Sequence, residues 1–188
     1  MSLIGYAFCG SFCTLSNSLA ALRELLSAGH EIQPIMSEAV YSTDTRFYAA
    51  AHLVREVEAM CGRPIIHTIV DAEPLGPKTP LDFLIIAPCT GNTLAKIANG
   101  ITDSTVTMCV KAQLRCRRPV VIALATNDGL GANLRSIAMT LEKKNVFFVP
   151  FGQDSPSGKP TSLVCDFTLV EATLEHAVRG IQIQPLLI

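Results

Sequence analysis

The chain has 188 residues, 49% of them hydrophobic, 16% charged and 6% aromatic. That length suits one domain of roughly 100–200 residues with its own core, and so apolar a composition excludes a disordered chain. A formal charge of -1 and a pI near 6.4 argue against a dedicated nucleic-acid binder, which carries a basic face.

Leu3 to Phe8 is a short apolar run that reads as a buried strand, followed by the turn Cys9-Gly10-Ser11. Asn17 to Ala28 carries Leu19, Leu22, Leu25 and Leu26 at helical spacing, with Gly29 as its stop. The N-terminal segment lacks a basic leader, and Gly10, Ser11 and Ser16 interrupt it, so it reads as strand and helix rather than as a signal peptide. Glu31 to Met36 is a second strand ending at Ser37. Thr45 to Cys61 has a helical pattern, with Phe47, Ala51, Val54 and Val57 on one side and Gly62 closing it. Pro64 to Val70 is short and apolar. Asp71 to Pro80, with three prolines and a glycine, reads as a loop. Leu81 to Ala87 and Pro119 to Ala125 are uninterrupted apolar strands, of the kind buried on both faces in parallel sheets. Thr93 to Asn99, Ser104 to Ala112, Asn133 to Lys144 and Thr168 to Val178 read as helices, and Val146 to Val149 as a strand. Gly152 to Ser162 reads as a Pro/Gly/Ser-rich surface loop and a candidate lid.

This alternation predicts an α/β fold over residues 1–188: a three-layer, doubly wound parallel sheet, Rossmann-like, with right-handed crossovers. Ligands in such sheets bind beyond the carboxyl ends of the strands. Four of those ends are rich in small and polar residues: Cys9 to Thr14, Ser37 to Ser42, Pro88 to Thr93 and Thr126 to Asn133. The first turn, Gly10-Ser11-Phe12, matches neither the dinucleotide glycine pattern nor the Walker phosphate loop. It still offers a helix N-terminus with hydroxyls, suited to one phosphate; plain N-capping explains the same residues. Pro88-Cys89-Thr90-Gly91-Asn92-Thr93 adds two hydroxyls and a carboxamide where helix amides are unpaired. Taken with Ser37, these turns favour a mononucleotide-sized phosphate ligand. The seven cysteines are scattered without CxxC pairs and the four histidines lie far apart, which argues against a zinc site and fits a reducing cytosol.

The stretch Ala87 to Ser104, APCTGNTLAKIANGITDS, resembles the hallmark segment of the homo-oligomeric FMN-binding cysteine decarboxylase (flavoprotein) family. It keeps Pro88, Asn92, Thr93, Ile97, Ala98, Gly100 and Asp103 of that pattern and departs at Cys89 and Gly91. The resemblance covers roughly residues 3 to 150. It implies FMN as cofactor, with its phosphate among Gly10, Ser11, Ser37, Thr90 and Thr93. It also implies flavin sites at contacts between subunits, hence a homotrimer or a multiple of trimers, in keeping with a mean hydropathy of +0.37. The segments IGYAFCGSFCT and LATNDGLGANLRSI point to one branch of the family, found in spore-forming bacteria. That branch implies oxidation of a small dihydropyridine dicarboxylate together with a nicotinamide-binding partner subunit. The alternatives are a non-catalytic partner that retains an inherited FMN or phosphate pocket, a decarboxylase, or a relative of the flavin prenyltransferases.

The resemblance makes His67 a candidate proton acceptor over the flavin, a role an imidazole can fill near neutral pH; a satisfied histidine on an edge strand is the other reading. Asn127 matches the asparagine of a family segment whose Pro, Met and Trp are missing here. That loss counts against decarboxylation of a cysteine substrate and leaves Asn127 free to bind a carboxylate or the flavin ring, or simply to shape a turn. Cys13 and Cys89 lie on the cofactor loops, as reactive thiols or as buried hydrophobes. A dicarboxylate calls for a cationic anchor, and Lys96, Lys111, Arg115, Arg117, Arg118 and Arg135 are the candidates.

Overall fold

In the computed structural model, which describes residues 2–76 and 78–188, strands and helices alternate along the chain. Met1 and Pro77 lie outside the described residues; Pro77 belongs to the segment read as a loop. Strands β1 (Leu3–Phe8), β2 (Glu31–Met36), β3 (Phe83–Cys89), β4 (Val120–Thr126) and β5 (Val146–Phe148) pair in parallel in the order β2-β1-β3-β4-β5. This is a doubly wound order whose direction reverses between β1 and β3, which puts the ligand crevice beyond the carboxyl ends of those strands. Every residue of β3 and β4 is buried, which is why both read as unbroken apolar runs.

Two sets of helices cover the sheet. Helix α1 (Leu15–Ser27) packs on α8 (Val170–Val178), and α6 (Thr105–Arg115) packs on β2, β3 and β4 with α4 (Ile69–Ala72) and α5 (Gly91–Asn99) beside it. In α1 the buried Leu19, Leu22 and Leu25 form the apolar stripe seen in the sequence. Helix α5 begins at Gly91, two residues before the expected start, because the Thr90 side chain caps it.

The helix expected from Thr45 to Cys61 starts only at Ala50, as α3 (Ala50–Cys61); a loop precedes it, and before that loop the polar strand end after β2 forms the five-residue α2 (Glu38–Ser42). Two side chains hold the loop open. Asp44 accepts from the Ala50 amide at 2.8 Å, and Thr45 accepts from the Phe47 and Tyr48 amides at 3.2 Å each. Phe47 is therefore exposed, and the buried stripe of α3 is Ala50, Leu53 and Val57. Gly62 closes α3 in the left-handed conformation at φ 64, as expected for a glycine stop. Residues Ile69–Ala72, read as the end of an apolar run and the start of a loop, form α4, capped by Thr68.

The largest correction is at Gly152 to Ser162. It is no loop but most of an antiparallel hairpin, β6 (Phe151–Ser155) and β7 (Lys159–Cys165). Strand β7 pairs with the carboxyl end of β4 through Ala125 and Thr126, where β5 has already ended. The hairpin thus extends the sheet on the side where ligands bind.

Candidate functional site

The strand ends open onto a cleft of about 1070 Å³. It is lined by Gly10, Ser11 and Phe12 after β1, by Thr90, Gly91 and Asn92 at the start of α5, and by Thr126, Asn127 and Asp128 after β4. The hairpin adds Asp154, Lys159 and Thr161, and the loop before α3 adds Arg46 and Phe47.

One part of this arrangement suits a phosphate. Thr90 accepts from the Thr93 amide at 3.2 Å and donates to the Thr93 hydroxyl at 3.0 Å. Among the described residues, the Gly91 and Asn92 amides then have no partner, as expected for the first turn of a helix. Unpaired amides at a helix start favour an anion. Ser37 sits beside β1, its amide donating to Phe8 O at 3.0 Å. Its hydroxyl is buried, does not cap α2, and has no partner among the described residues. A buried hydroxyl rarely goes unsatisfied, so a ligand acceptor is the natural occupant. Helix α2 also comes close to the first turn: a Cβ on Gly10 would stand 4.0 Å from that of Ala39. The residues present therefore fit a phosphate-bearing cofactor.

A second part is a polar clamp. Thr126 donates its hydroxyl to Asp128, and the Asn133 amide donates to both Asp128 oxygens at 2.9 Å. The Thr126 hydroxyl, then Asn133, hold the Asp128 carboxyl below its ordinary value against the opposing effect of partial burial. Gly91 packs directly on this clamp. A Cβ there would come within 2.5 Å of both Asn133 Nδ2 and Thr126 Oγ1. That contact gives a physical reason for glycine at a position where the chain departs from the family segment it resembles. The hairpin is tied to the same turn: Thr161 Oγ1 donates to Asn127 O at 2.7 Å, and Leu130 N donates to Thr161 O at 3.0 Å.

Of the residues singled out in the sequence, Gly10, Ser11, Phe12, Thr90, Asn92 and Asn127 meet on the cleft. Pro88 is buried in β3, and its carbonyl accepts from Cys9 N at 3.2 Å. Thr93 does not line the cleft: its amide and hydroxyl both meet Thr90 Oγ1, and burial pushes the Cys9 thiol up to about 11. Cys89 is fully buried, and burial raises its thiol well above the ordinary value. Cys13 is exposed on the cleft. His67 does not line it. The segment before it bridges β2 at Ile35–Ile66, and its ring stacks on Tyr41 at 3.7 Å with 13° between planes. His67 Nδ1 is buried without a partner among the described residues.

None of the six cations proposed from the sequence lines the cleft. Lys96 pairs with Asp103 at 2.8 Å, Arg115 with Glu73 at 4.0 Å, and Arg118 donates to Leu81 O at 2.5 Å. Lys111, Arg117 and Arg135 lie elsewhere on the chain. The cations that do line it, Arg46 and Lys159, sit on segments read as a helix and a loop, and no motif marks them.

A polar cleft at the β1/β3 switch point with room for a phosphate is the site of a flavoprotein-type fold. The pattern of the Flavoprotein family matches residues 3–171, and the chain belongs to that family. It is 45% identical to the B subunit of dipicolinate synthase from Bacillus subtilis (strain 168) over 185 residues, 98% of this chain and 92% of that protein. The crystal structure of the corresponding B subunit from Bacillus halodurans superposes with a TM-score of 0.91 at 42% identity, covering 100% of this chain and 96% of that one. An FMN-dependent cysteine decarboxylase shares the fold alone, with a TM-score of 0.65 at 22% identity over 96% of this chain and 97% of its own.

Proposed function

We propose that the chain is the FMN-carrying subunit of a dipicolinate synthase. With a nicotinamide-binding A subunit, it oxidises dihydrodipicolinate to dipicolinate in the mother-cell cytoplasm during sporulation. The near-full-length similarity to a dipicolinate synthase chain supports the substrate. Two observations carry the cofactor: the orphaned Ser37 hydroxyl next to the end of β1, and the unpaired amides at the start of α5.

In this reading Gly10, Ser11, Ser37, Thr90, Asn92 and Thr93 hold the phosphate, and Phe12, Pro88 and Cys89 shape the pocket through packing and backbone. Bound there, FMN supplies a two-electron acceptor. Asn127 hydrogen-bonds a substrate carboxylate or the flavin ring. Aromatisation removes a hydride and a proton from the dihydropyridine ring, and His67 accepts the proton. His67 lies off this chain's own cleft, so it serves a site shared between subunits, in a homotrimer or a multiple of trimers.

The test is the protein purified with and without the A subunit. A flavin spectrum that bleaches on anaerobic addition of dihydrodipicolinate supports the reading, once spontaneous aromatisation is subtracted. Undiminished dipicolinate formation by the flavin-free complex would make this chain a non-catalytic partner.

A further inference from the structure

We propose that Arg46 and Lys159 are the carboxylate-binding pair of the substrate subsite, with the Phe47 ring as its aromatic face. The proposal rests on the reading of the chain as part of a dipicolinate-forming enzyme and assigns the residues that recognise the dicarboxylate. Among the described residues, these are the two cations lining the cleft. Among the described residues Arg46 has no ion-pair partner. Its guanidinium stacks over Phe47, 4.8 Å from the ring centroid, which orients its donors before any ligand arrives. The loop that carries Arg46 and Phe47 is fixed by the Asp44 and Thr45 side-chain bonds, so this face is built rather than free-swinging.

Lys159 reaches the cleft on β7, whose position is fixed by the Thr161 bond to Asn127 O. It pairs with Asp154 at 2.7 Å, both side chains being solvent-exposed. An exposed pair of this kind is worth little, so a substrate carboxylate can replace Asp154 at small cost. A cleft of about 1070 Å³ lies at the top of the size range of single small-molecule sites, leaving space for a small ring beside a cofactor. Two cations and an aromatic ring together fit a flat aromatic dicarboxylate. The phosphate-binding features gather instead at the β1, β2 and β3 ends.

The test uses pyridine-2,6-dicarboxylate as the probe, titrated calorimetrically into the FMN-loaded protein in metal-free buffer. Pyridine-2-carboxylate is the one-anchor comparison. Arg46→Gln and Lys159→Gln should each weaken the dicarboxylate about 10–100-fold, as expected for a lost charge-assisted contact, with flavin content and melting temperature unchanged. Arg46→Lys should restore only part of the loss, because it keeps the charge without the fork. Variants that bind the probe as the wild type does would overturn the assignment while leaving the oxidation reading intact. Variants that lose FMN would overturn it too, since the cations would then serve the cofactor. A wild type that binds neither compound would overturn the oxidation reading and this assignment with it.

Discussion

Asp128 satisfies two protein side chains of the cleft at once, Thr126 and the buried Asn133. Replacing it by Ala strands both donors, and an unsatisfied buried donor costs about 1–3 kcal/mol. Asp128→Ala should therefore lower unfolding stability by about that amount at neutral pH, measured by urea denaturation. Its carboxyl is held below the ordinary value of 3.8, so the contribution is full above that pH and is lost as pH falls through the lower, folded-state value. The gap between wild type and variant should close in that acidic window; a gap that persists there would contradict the clamp. His67 poses a different question, because its imidazole stacks on Tyr41 while its buried Nδ1 has no partner among the described residues. His67→Asn should keep flavin and fold while turnover with the A subunit drops about 10²–10⁴-fold, the usual worth of a positioned acid or base. Wild-type turnover per folded molecule would assign the proton to another residue.

At the scale of elements, the site is where two strand-end turns interlock. Gly91 of α5 leaves room for the Thr126–Asp128–Asn133 clamp that shapes the turn after β4. Gly91→Ala should push these turns apart and cost about 1–3 kcal/mol, as overpacking does; an unchanged denaturation midpoint would contradict that contact. The bounds of β1 were legible because it is an apolar run ended by small residues, and those of β2 because Gly29 stops the helix before it and Ser37 follows it. Helix α2 was not: it is five residues long and buries only Val40, so it has no periodicity to read. Phe47 fell on a helical spacing with Ala51 and Val54 by coincidence, and the local bonds of Asp44 and Thr45 overrode it. The hairpin was hidden by an exposed edge strand, Gly152 to Asp154, with no apolar alternation. That Gly10, Ser11, Phe12, Thr90 and Asn92 share a cleft was legible because they follow strands directly. Arg46 and Lys159 were not, because only the tertiary fold brings them to the cleft.

For the whole molecule, the proposed homotrimer has exposed apolar residues to cover at its contacts. Val70 is 80% exposed and Leu134 51%, and the mean hydropathy of +0.37 is high for a lone soluble chain. Sedimentation equilibrium at micromolar concentration should return three times 20.2 kDa, or a multiple of that. A monomer would contradict the assembly and leave His67 without a flavin to face.

We place the phosphate of FMN in a cradle at the β1, β2 and β3 ends, and everything proposed for the cleft depends on it. The most direct measurement is a paired titration of the purified protein with FMN and riboflavin, followed by flavin fluorescence, in the wild type and in Ser37→Ala. The two ligands differ only in the phosphate. FMN should bind more tightly than riboflavin by about ten-fold or more. Ser37→Ala should lose most of that preference without loss of stability, because the hydroxyl it removes has no protein partner among the described residues. Equal affinity for FMN and riboflavin in the wild type would contradict the cradle.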